Sequence, residues 1–112
     1  MIDLEATYLR MRQADALLAA TNLKLSPQQM VILHAIKDGV RGAADLARRI
    51  NVAPTVITGL VDRLEREGYV VRRDDKADRR RHTISITAHG MGALAAAIAA
   101  LADEDRAAEA AA

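Results

Sequence analysis

The chain has 112 residues, of which 51% are hydrophobic and 28% charged, and this composition indicates one globular domain and excludes a disordered chain. Aromatic residues make up only 2%, without Phe or Trp, so the core must be built from Leu, Ile, Val, Ala and Met. Such a core is thin for a monomer of this size, and we therefore expect a partner subunit to cover apolar surface.

The absence of cysteine excludes disulfides, thiolate nucleophiles and zinc sites with cysteine ligands. The first residues, MIDLEATYLRMRQ, lack the apolar segment of a signal peptide. The most apolar stretch, residues 91–102, is far shorter than the ~20 residues that span a bilayer. The sequence therefore predicts a cytoplasmic protein without a membrane segment.

The net charge of +1 conceals an uneven distribution of charge. Residues 41–82 contain 11 Lys and Arg against 7 Asp and Glu, a balance of +4, whereas the rest contains 5 against 8, a balance of −3. A basic centre between acidic ends predicts a surface that faces a polyanion.

Helical spacing of apolar residues predicts a first helix over residues 2–22. Ser26 and Pro27 are typical of a helix start, and the second helix ends before Gly39. Val40 and Arg41 are predicted to form a very short strand. Residues 43–50 then predict a compact third helix.

A turn over residues 51–53 leads to a fourth helix that Pro54 opens and Gly68 follows. Two short helices joined by a three-residue turn, with apolar side chains clamped between them, predict a helix-turn-helix. The second of these helices would project its N-terminal end outward.

The segments from Tyr69 and over residues 83–87 alternate as strands do, and a highly charged turn separates them. A β-hairpin directly after a helix-turn-helix is the winged-helix arrangement. Thr87 can then cap a last helix that starts at about Ala88. The predicted class is mainly α with a small β-hairpin (α+β), and residues 1–112 form one domain: a winged-helix lobe over 25–87, flanked by terminal helices over 1–24 and 88–112.

The N-terminal end of the fourth helix is the candidate base-reading element, because a recognition helix places these residues on base edges in the major groove. Threonine hydroxyls can donate to a base or a phosphate, and threonine and valine methyls can touch the methyl of thymine. The residues concerned are Pro54, Thr55, Val56, Thr58 and Gly59.

The charged hairpin turn suits the same function, because a narrow minor groove attracts arginine. Arg79, Arg80 and Arg81 could supply such a side chain, and Asp78 could hold one of them in place. Taken alone, a solvated turn with salt bridges explains the charges better. Further candidates for DNA contact are Arg41, Arg48, Arg49, Arg63, Arg72 and Arg73.

The stretch from Leu25 to Gly90 resembles the MarR family of bacterial winged-helix transcription regulators, above all in the runs VDRLEREGYV and DRRRHTISIT. The resemblance implies that Asp78 and Arg80 are the wing pair, with Arg80 entering the minor groove. It also implies a homodimer built from the terminal helices, a pseudo-palindromic double-stranded DNA operator, repression, and a small-molecule effector. The candidate dimerisation residues are Leu4, Tyr8, Met11, Leu94, Ile98 and Leu101.

The segment after Thr87 is shorter than in most members of that family. The sequence therefore predicts a reduced dimer interface, an interface of different geometry, or a truncated chain.

Enzyme function has little support from the residues. His34, His82 and His89 form no metal-ligand spacing, no paired carboxylates stand out, and no glycine-rich phosphate loop follows a strand, so we expect neither a metal nor a cofactor. The alternative to a DNA-binding regulator is a winged helix that binds another protein and has no operator of its own.

Overall fold

The computed structural model describes residues 2–74, 76–77 and 82–111, with side chains described to residue 102. Within these residues the chain forms five helices and one two-stranded hairpin, which confirms a mainly α class with the winged helix-turn-helix arrangement. The elements in chain order are α1 (Leu4–Ala20), α2 (Pro27–Lys37), α3 (Ala43–Ile50), α4 (Pro54–Arg66), β1 (Val70–Asp74), β2 (His82–Ile86) and α5 (Ala88–Ala111).

Side-chain hydrogen bonds cap the N-terminal ends of α2 and α5. The Ser26 hydroxyl accepts from the Gln29 N–H at 3.2 Å, and the Gln29 side chain accepts from the Ser26 N–H at 2.9 Å, which is a capping box. The Thr87 hydroxyl accepts from the Gly90 N–H at 2.9 Å, which confirms its predicted role at the start of α5. These bonds satisfy N–H groups that have no partner inside the helix.

The turn between α3 and α4 depends on one residue with left-handed backbone. Asn51 has φ 57° and ψ 53°, a conformation that asparagine tolerates better than most residues. The next N–H, of Val52, donates to the Ala47 carbonyl at 3.0 Å and closes the end of α3. Leu46 and Ile57 are fully buried between the two helices, as the predicted apolar clamp requires.

The hairpin is antiparallel and pairs Arg72 with Ile84. At this pair both N–H groups are bound outside the hairpin: Ile84 donates to the Arg41 carbonyl at 2.9 Å, and Arg72 donates to the Glu65 carboxylate at 3.3 Å. An exposed strand edge would otherwise offer these groups to another chain. Strand β1 starts one residue after the predicted start at Tyr69, and β2 starts and ends one residue before its predicted limits of 83 and 87.

The predicted short strand at Val40 and Arg41 is wrong. The Val40 N–H donates to the Ala35 carbonyl at 3.1 Å and is therefore used to end α2, after Gly39 has turned the chain with φ 107°. The Arg41 carbonyl is this loop's one main-chain group that bonds with β2, and the Arg41 side chain adds a hydrogen bond to the Ser85 hydroxyl. These two bonds attach the loop to the hairpin without forming a strand.

The core lies where α2 meets α3, α4, the hairpin and α5. Leu94 of α5 is 1% exposed and Ala97 is also buried, because α5 packs against both α1 and α2. Leu94 was predicted as a dimerisation residue, and this is wrong for its side chain. It fills the core of its own chain and is inaccessible to a partner.

Helix α1 contributes little to this core. It begins after Asp3, whose carboxylate accepts from the Ala6 N–H at 3.0 Å, and ends at Ala20, so it is shorter at both ends than predicted. Leu18 is its one buried residue, whereas Leu4 is 76% and Tyr8 58% exposed. The helical spacing was read correctly, but most of the apolar side faces away from the chain's own core.

Candidate nucleic-acid interface

The N-terminal end of α4 is exposed and carries the predicted base-reading residues. Ala53 precedes the helix and offers no side-chain cap, and Pro54 occupies the first helical position. The buried side of the helix is formed by Ile57, Leu60, Val61 and Leu64. All five predicted base-reading residues lie outside that buried side and are exposed: Pro54, Thr55, Val56, Thr58 and Gly59.

Three of these positions offer apolar or small groups to a ligand. Val56 is 42% exposed, so its methyl groups are accessible to a ligand. The Thr58 hydroxyl donates to the Pro54 carbonyl at 3.3 Å, so its proton is already used within the helix. A Cβ on Gly59 would meet nothing within 4 Å, and packing within the chain therefore does not require glycine there.

The candidate arginines fall into two groups. Arg63 and Arg73 are exposed, and no side-chain hydrogen bond or ion pair engages either guanidinium among the described residues. Arg41 donates to the Ser85 hydroxyl at 3.2 Å. The hairpin's Arg72 instead donates to the Asp62 carboxylate of α4 at 2.5 Å. Exposed arginines without a partner are the ones best able to contact phosphate.

The two arginines at the end of α3 have acidic neighbours. Arg48 forms an ion pair with Asp45 within the helix, and Arg49 forms one with Asp38 at 3.0 Å. Both pairs lie at the surface, where an ion pair contributes little and can exchange for a phosphate. They remain candidates for phosphate contact.

The tip of the hairpin lies outside the described residues, and with it Asp78, Arg79, Arg80 and Arg81. At the base of the tip, His82 Nδ1 lies 2.7 Å from the Asp74 carboxylate, across the last pair of the ladder. Lys76 is described and exposed. In the sequence, the predicted wing residues lie between Asp74 and His82.

A groove of about 730 Å³ separates the hairpin from the helix-turn-helix. The start of α3, the Thr58 side of α4 and the Thr83 side of β2 form its walls. Both elements that could contact DNA therefore border one concave surface.

Sequence reasoning missed two acidic residues of this surface. Asp62 and Glu65 lie on α4 three residues apart, and both bind Arg72. Residues at this spacing share a helix face, which was the available signal. No group of three or more potential metal ligands occurs in the described part of the chain, and no described helix is long and apolar enough to cross a membrane.

The predicted dimerisation residues differ in accessibility. Met11 joins Leu4 and Tyr8 as an exposed side chain of α1, and Ile98 of α5 is exposed too. Leu101 is half-buried. These side chains form a discontinuous apolar surface on the two terminal helices.

Comparison with known proteins identifies the family. A family model described as "MarR family" matches residues 23–81, which is more than half of the chain and contains α2, α3, α4 and β1. The chain belongs to the MarR family.

Curated relatives in the MarR family include two proteins of Bacillus subtilis. The HTH-type transcriptional repressor YetL is 38% identical over 65 residues, covering 58% of this chain and 39% of that protein. The HTH-type transcriptional repressor MdtR is 28% identical over 90 residues, covering 80% and 57%. The chain thus spans less than two thirds of the length of either relative.

Solved structures of similar fold include the transcriptional repressor CouR bound to a 23-mer DNA duplex, with a TM-score of 0.84 and 26% identity, covering 94% of this chain and 75% of that one. The transcriptional regulator BldR from Sulfolobus solfataricus has a TM-score of 0.79 and 30% identity, covering 89% and 71%. A complex of Staphylococcus aureus MepR with DNA has a TM-score of 0.79 at 20% identity, which shows a shared fold alone.

Proposed function

We propose that this MarR-family protein is a transcriptional regulator that binds double-stranded DNA sequence-specifically as a homodimer and represses transcription. The observation that carries the proposal is the exposed N-terminal end of α4 beside an arginine-rich hairpin. A helix end and a hairpin on one surface suit a duplex, because a helix fits the major groove and an arginine the neighbouring minor groove. The similarity to CouR, whose structure is bound to a 23-mer DNA duplex, supports the binding of double-stranded DNA.

Small side chains at the start of α4 suit close approach to base edges. Thr55, Val56 and Gly59 would lie deepest in the major groove, where methyl groups can touch thymine. Arg63 and Arg73 would contact the flanking phosphates, and Arg80 would enter the minor groove with Asp78 holding it in place. Phosphate contacts fix the orientation of the protein, whereas the base contacts give specificity.

The homodimer would form through the terminal helices. Leu4, Tyr8 and Met11 of α1 and Ile98 of α5 are exposed apolar side chains whose burial against a second copy would remove them from water. A two-fold dimer would place its two recognition helices in successive major grooves, about 34 Å apart, on a pseudo-palindromic operator. Sedimentation equilibrium on the wild type and on Tyr8→Lys tests this: we expect a dimer that the charged side chain dissociates.

Repression is inferred from the names of the relatives, and its relief by a small molecule from the family resemblance. YetL and MdtR are both named repressors, which favours repression for this chain. A small-molecule effector that changed the spacing of the recognition helices would release the operator. We place the protein in the cytoplasm, associated with the nucleoid when bound to DNA.

Binding-site selection from a random duplex library tests the function directly. The selected duplex is then titrated by fluorescence anisotropy over a salt series, with a scrambled duplex of the same composition as control. We expect strong preference for the selected duplex and affinity that falls steeply with salt, with a slope that counts phosphate contacts. Arg80→Ala should lower the affinity without changing urea unfolding.

The contrary result is also informative. Absence of binding to either duplex at low salt would overturn the DNA-binding proposal and favour a winged helix that binds another protein. An Arg80→Ala variant that binds as well as the wild type would overturn the role of the wing.

A further inference from the structure

Arg72 connects the hairpin to the recognition helix. Its Nη2 atom lies 2.5 Å from Asp62 Oδ1 and 3.5 Å from the Thr58 carbonyl oxygen, and both partners belong to α4. Its backbone N–H donates to Glu65 Oε2 at 3.3 Å. One residue of β1 is therefore attached to about two turns of α4, through its side chain and its main chain.

The environment of the Arg72 guanidinium differs from that of its neighbour. The Arg72 side chain is 30% exposed, and its charge is matched by Asp62. Arg73, the next residue, is exposed, and its guanidinium has no ion pair among the described residues. A phosphate that bound Arg72 would compete with the Asp62 carboxylate for the charge of the guanidinium.

The two carboxylates lie beside the surface proposed to face DNA. Asp62 and Glu65 lie on the helix that would enter the major groove, where negative charge repels the phosphates. Arg72 pairs with Asp62 and at the same time holds the hairpin beside the helix. One contact therefore both aligns the hairpin and offsets the charge of Asp62.

We propose that Arg72 is a positioning residue, which fixes the hairpin relative to the recognition helix so that the two elements fit adjacent grooves, and that it is not a phosphate ligand. This rests on the proposed DNA-binding function. Two elements that enter neighbouring grooves together bind more tightly if their separation is fixed, because relative motion between them is lost on binding at a cost in entropy. The Arg72–Asp62 contact, here called the clasp, restricts that motion before DNA arrives.

The effect of Asp62→Asn on DNA affinity distinguishes a positioning role of Arg72 from a phosphate-binding role, because the two roles predict changes of opposite sign. If Arg72 positions the wing, Asp62→Asn and Arg72→Gln each weaken binding of the selected duplex by up to about fivefold, the value of a partly exposed ion pair. The double variant is then no weaker than either single variant, and the salt slope stays that of the wild type. If Arg72 binds phosphate, Asp62→Asn frees it and strengthens binding, and Arg72→Gln flattens the slope by about 0.9.

Arg73→Gln is the matched control, since it removes an adjacent arginine from the same strand. We expect it to flatten the salt slope by about 0.9, as loss of one phosphate contact does. Tighter binding by Asp62→Asn, or a slope change for Arg72→Gln equal to that of the control, would overturn the positioning role.

A measurement without DNA keeps this inference separate from the proposed function. A double-mutant cycle of urea unfolding on Arg72→Gln and Asp62→Asn measures the clasp in the free chain. Zero coupling would overturn the clasp even if the wild type binds its operator. Clear coupling together with a wild type that binds no DNA would overturn the proposed function and the positioning role with it, leaving the clasp as a structural contact.

Discussion

Gly90 in the first turn of α5 lies so close to the start of β1 that a side chain would not fit. A Cβ at this position would overlap the Tyr69 carbonyl oxygen and lie 2.8 Å from Ile86 Cγ1 and 3.0 Å from the Tyr69 carbonyl carbon. The Tyr69 carbonyl accepts from the Thr87 N–H at 3.0 Å, so it cannot move without stretching the bond that joins the hairpin to α5. Gly90→Ala should therefore destabilise the chain.

The magnitude follows from two opposing terms. Overpacking costs about 1–3 kcal/mol, while alanine in place of a helical glycine gains about 0.5–1 kcal/mol. The net expectation for Gly90→Ala is a loss of about 1–2 kcal/mol. Gly92 is the matched control, because it lies in the same helix and a Cβ there would meet nothing within 4 Å. Gly92→Ala should gain about 0.5–1 kcal/mol.

Urea unfolding followed by far-ultraviolet circular dichroism measures both variants against the wild type. The protein concentration must be equal in all three, because the proposed dimerisation would add to the apparent stability. Both substitutions replace glycine by alanine in the same helix. Opposite changes in the free energy of unfolding would therefore report the space available to the added methyl group. A Gly90→Ala chain as stable as Gly92→Ala would refute the close packing of α5 on the hairpin.

Two further substitutions test the helix cap and the base-reading end. Thr87→Ala should lower the free energy of unfolding by about 1 kcal/mol, because it removes the hydroxyl that caps α5 and donates to the Gly68 carbonyl at 2.7 Å. Thr87→Ser keeps that hydroxyl, and its free energy of unfolding in the same urea assay should stay within about 0.5 kcal/mol of the wild type. Val56→Ala should leave unfolding within about 0.5 kcal/mol of the wild type but weaken operator binding. In anisotropy titrations, deoxyuridine in place of the contacted thymine should weaken wild-type binding by about fourfold per lost methyl contact. Binding by Val56→Ala should be unaffected by the same replacement. If deoxyuridine weakened the binding of both proteins equally, Val56 would have no role in base reading.

Local chemistry explains why several features could be predicted from the sequence. Ser26 and Thr87 cap helices because a hydroxyl reaches an N–H only three residues away, and that distance is fixed along the chain. Gly68 adopts φ 78° after α4 because a left-handed residue is common just beyond a helix. Such features need no knowledge of the tertiary contacts.

The role of α1 could not be predicted from the sequence in the same way. An apolar residue at helical spacing, such as Leu4 or Leu18, indicates a face that avoids water but not what covers it. Leu18 packs in the core of the chain, whereas Leu4 and Tyr8 are exposed. Leu94 was predicted to lie between subunits because it is on a terminal helix, but it is buried in the core of its own chain. The choice depends on how α5 crosses α1 and α2, which no local pattern records.

The arginines make the same point for the candidate site. Arg72 and Arg73 are adjacent and identical in kind, and both were predicted to contact DNA. Alternation along β1 directs their side chains to opposite faces, and the approach of α4 then places Asp62 beside one of them. Asp62 is ten positions from Arg72, so this contact depends on the angle between helix and hairpin. The free or paired state of each arginine is a tertiary property.

Helix α4 contacts the core, the hairpin and, in the proposed complex, DNA. These contacts limit the positions at which substitutions can change its proposed DNA specificity. One side packs in the core through residues such as Ile57 and Leu64, and a second binds the hairpin through Asp62 and Glu65. Substitution on either side would disturb the fold or the wing before it altered base recognition. The positions left free to vary with the operator are those at the exposed N-terminal end: Thr55, Val56, Thr58 and Gly59. We therefore expect exchanges at these four positions to change the preferred duplex, while exchanges at Asp62 change affinity for every duplex alike.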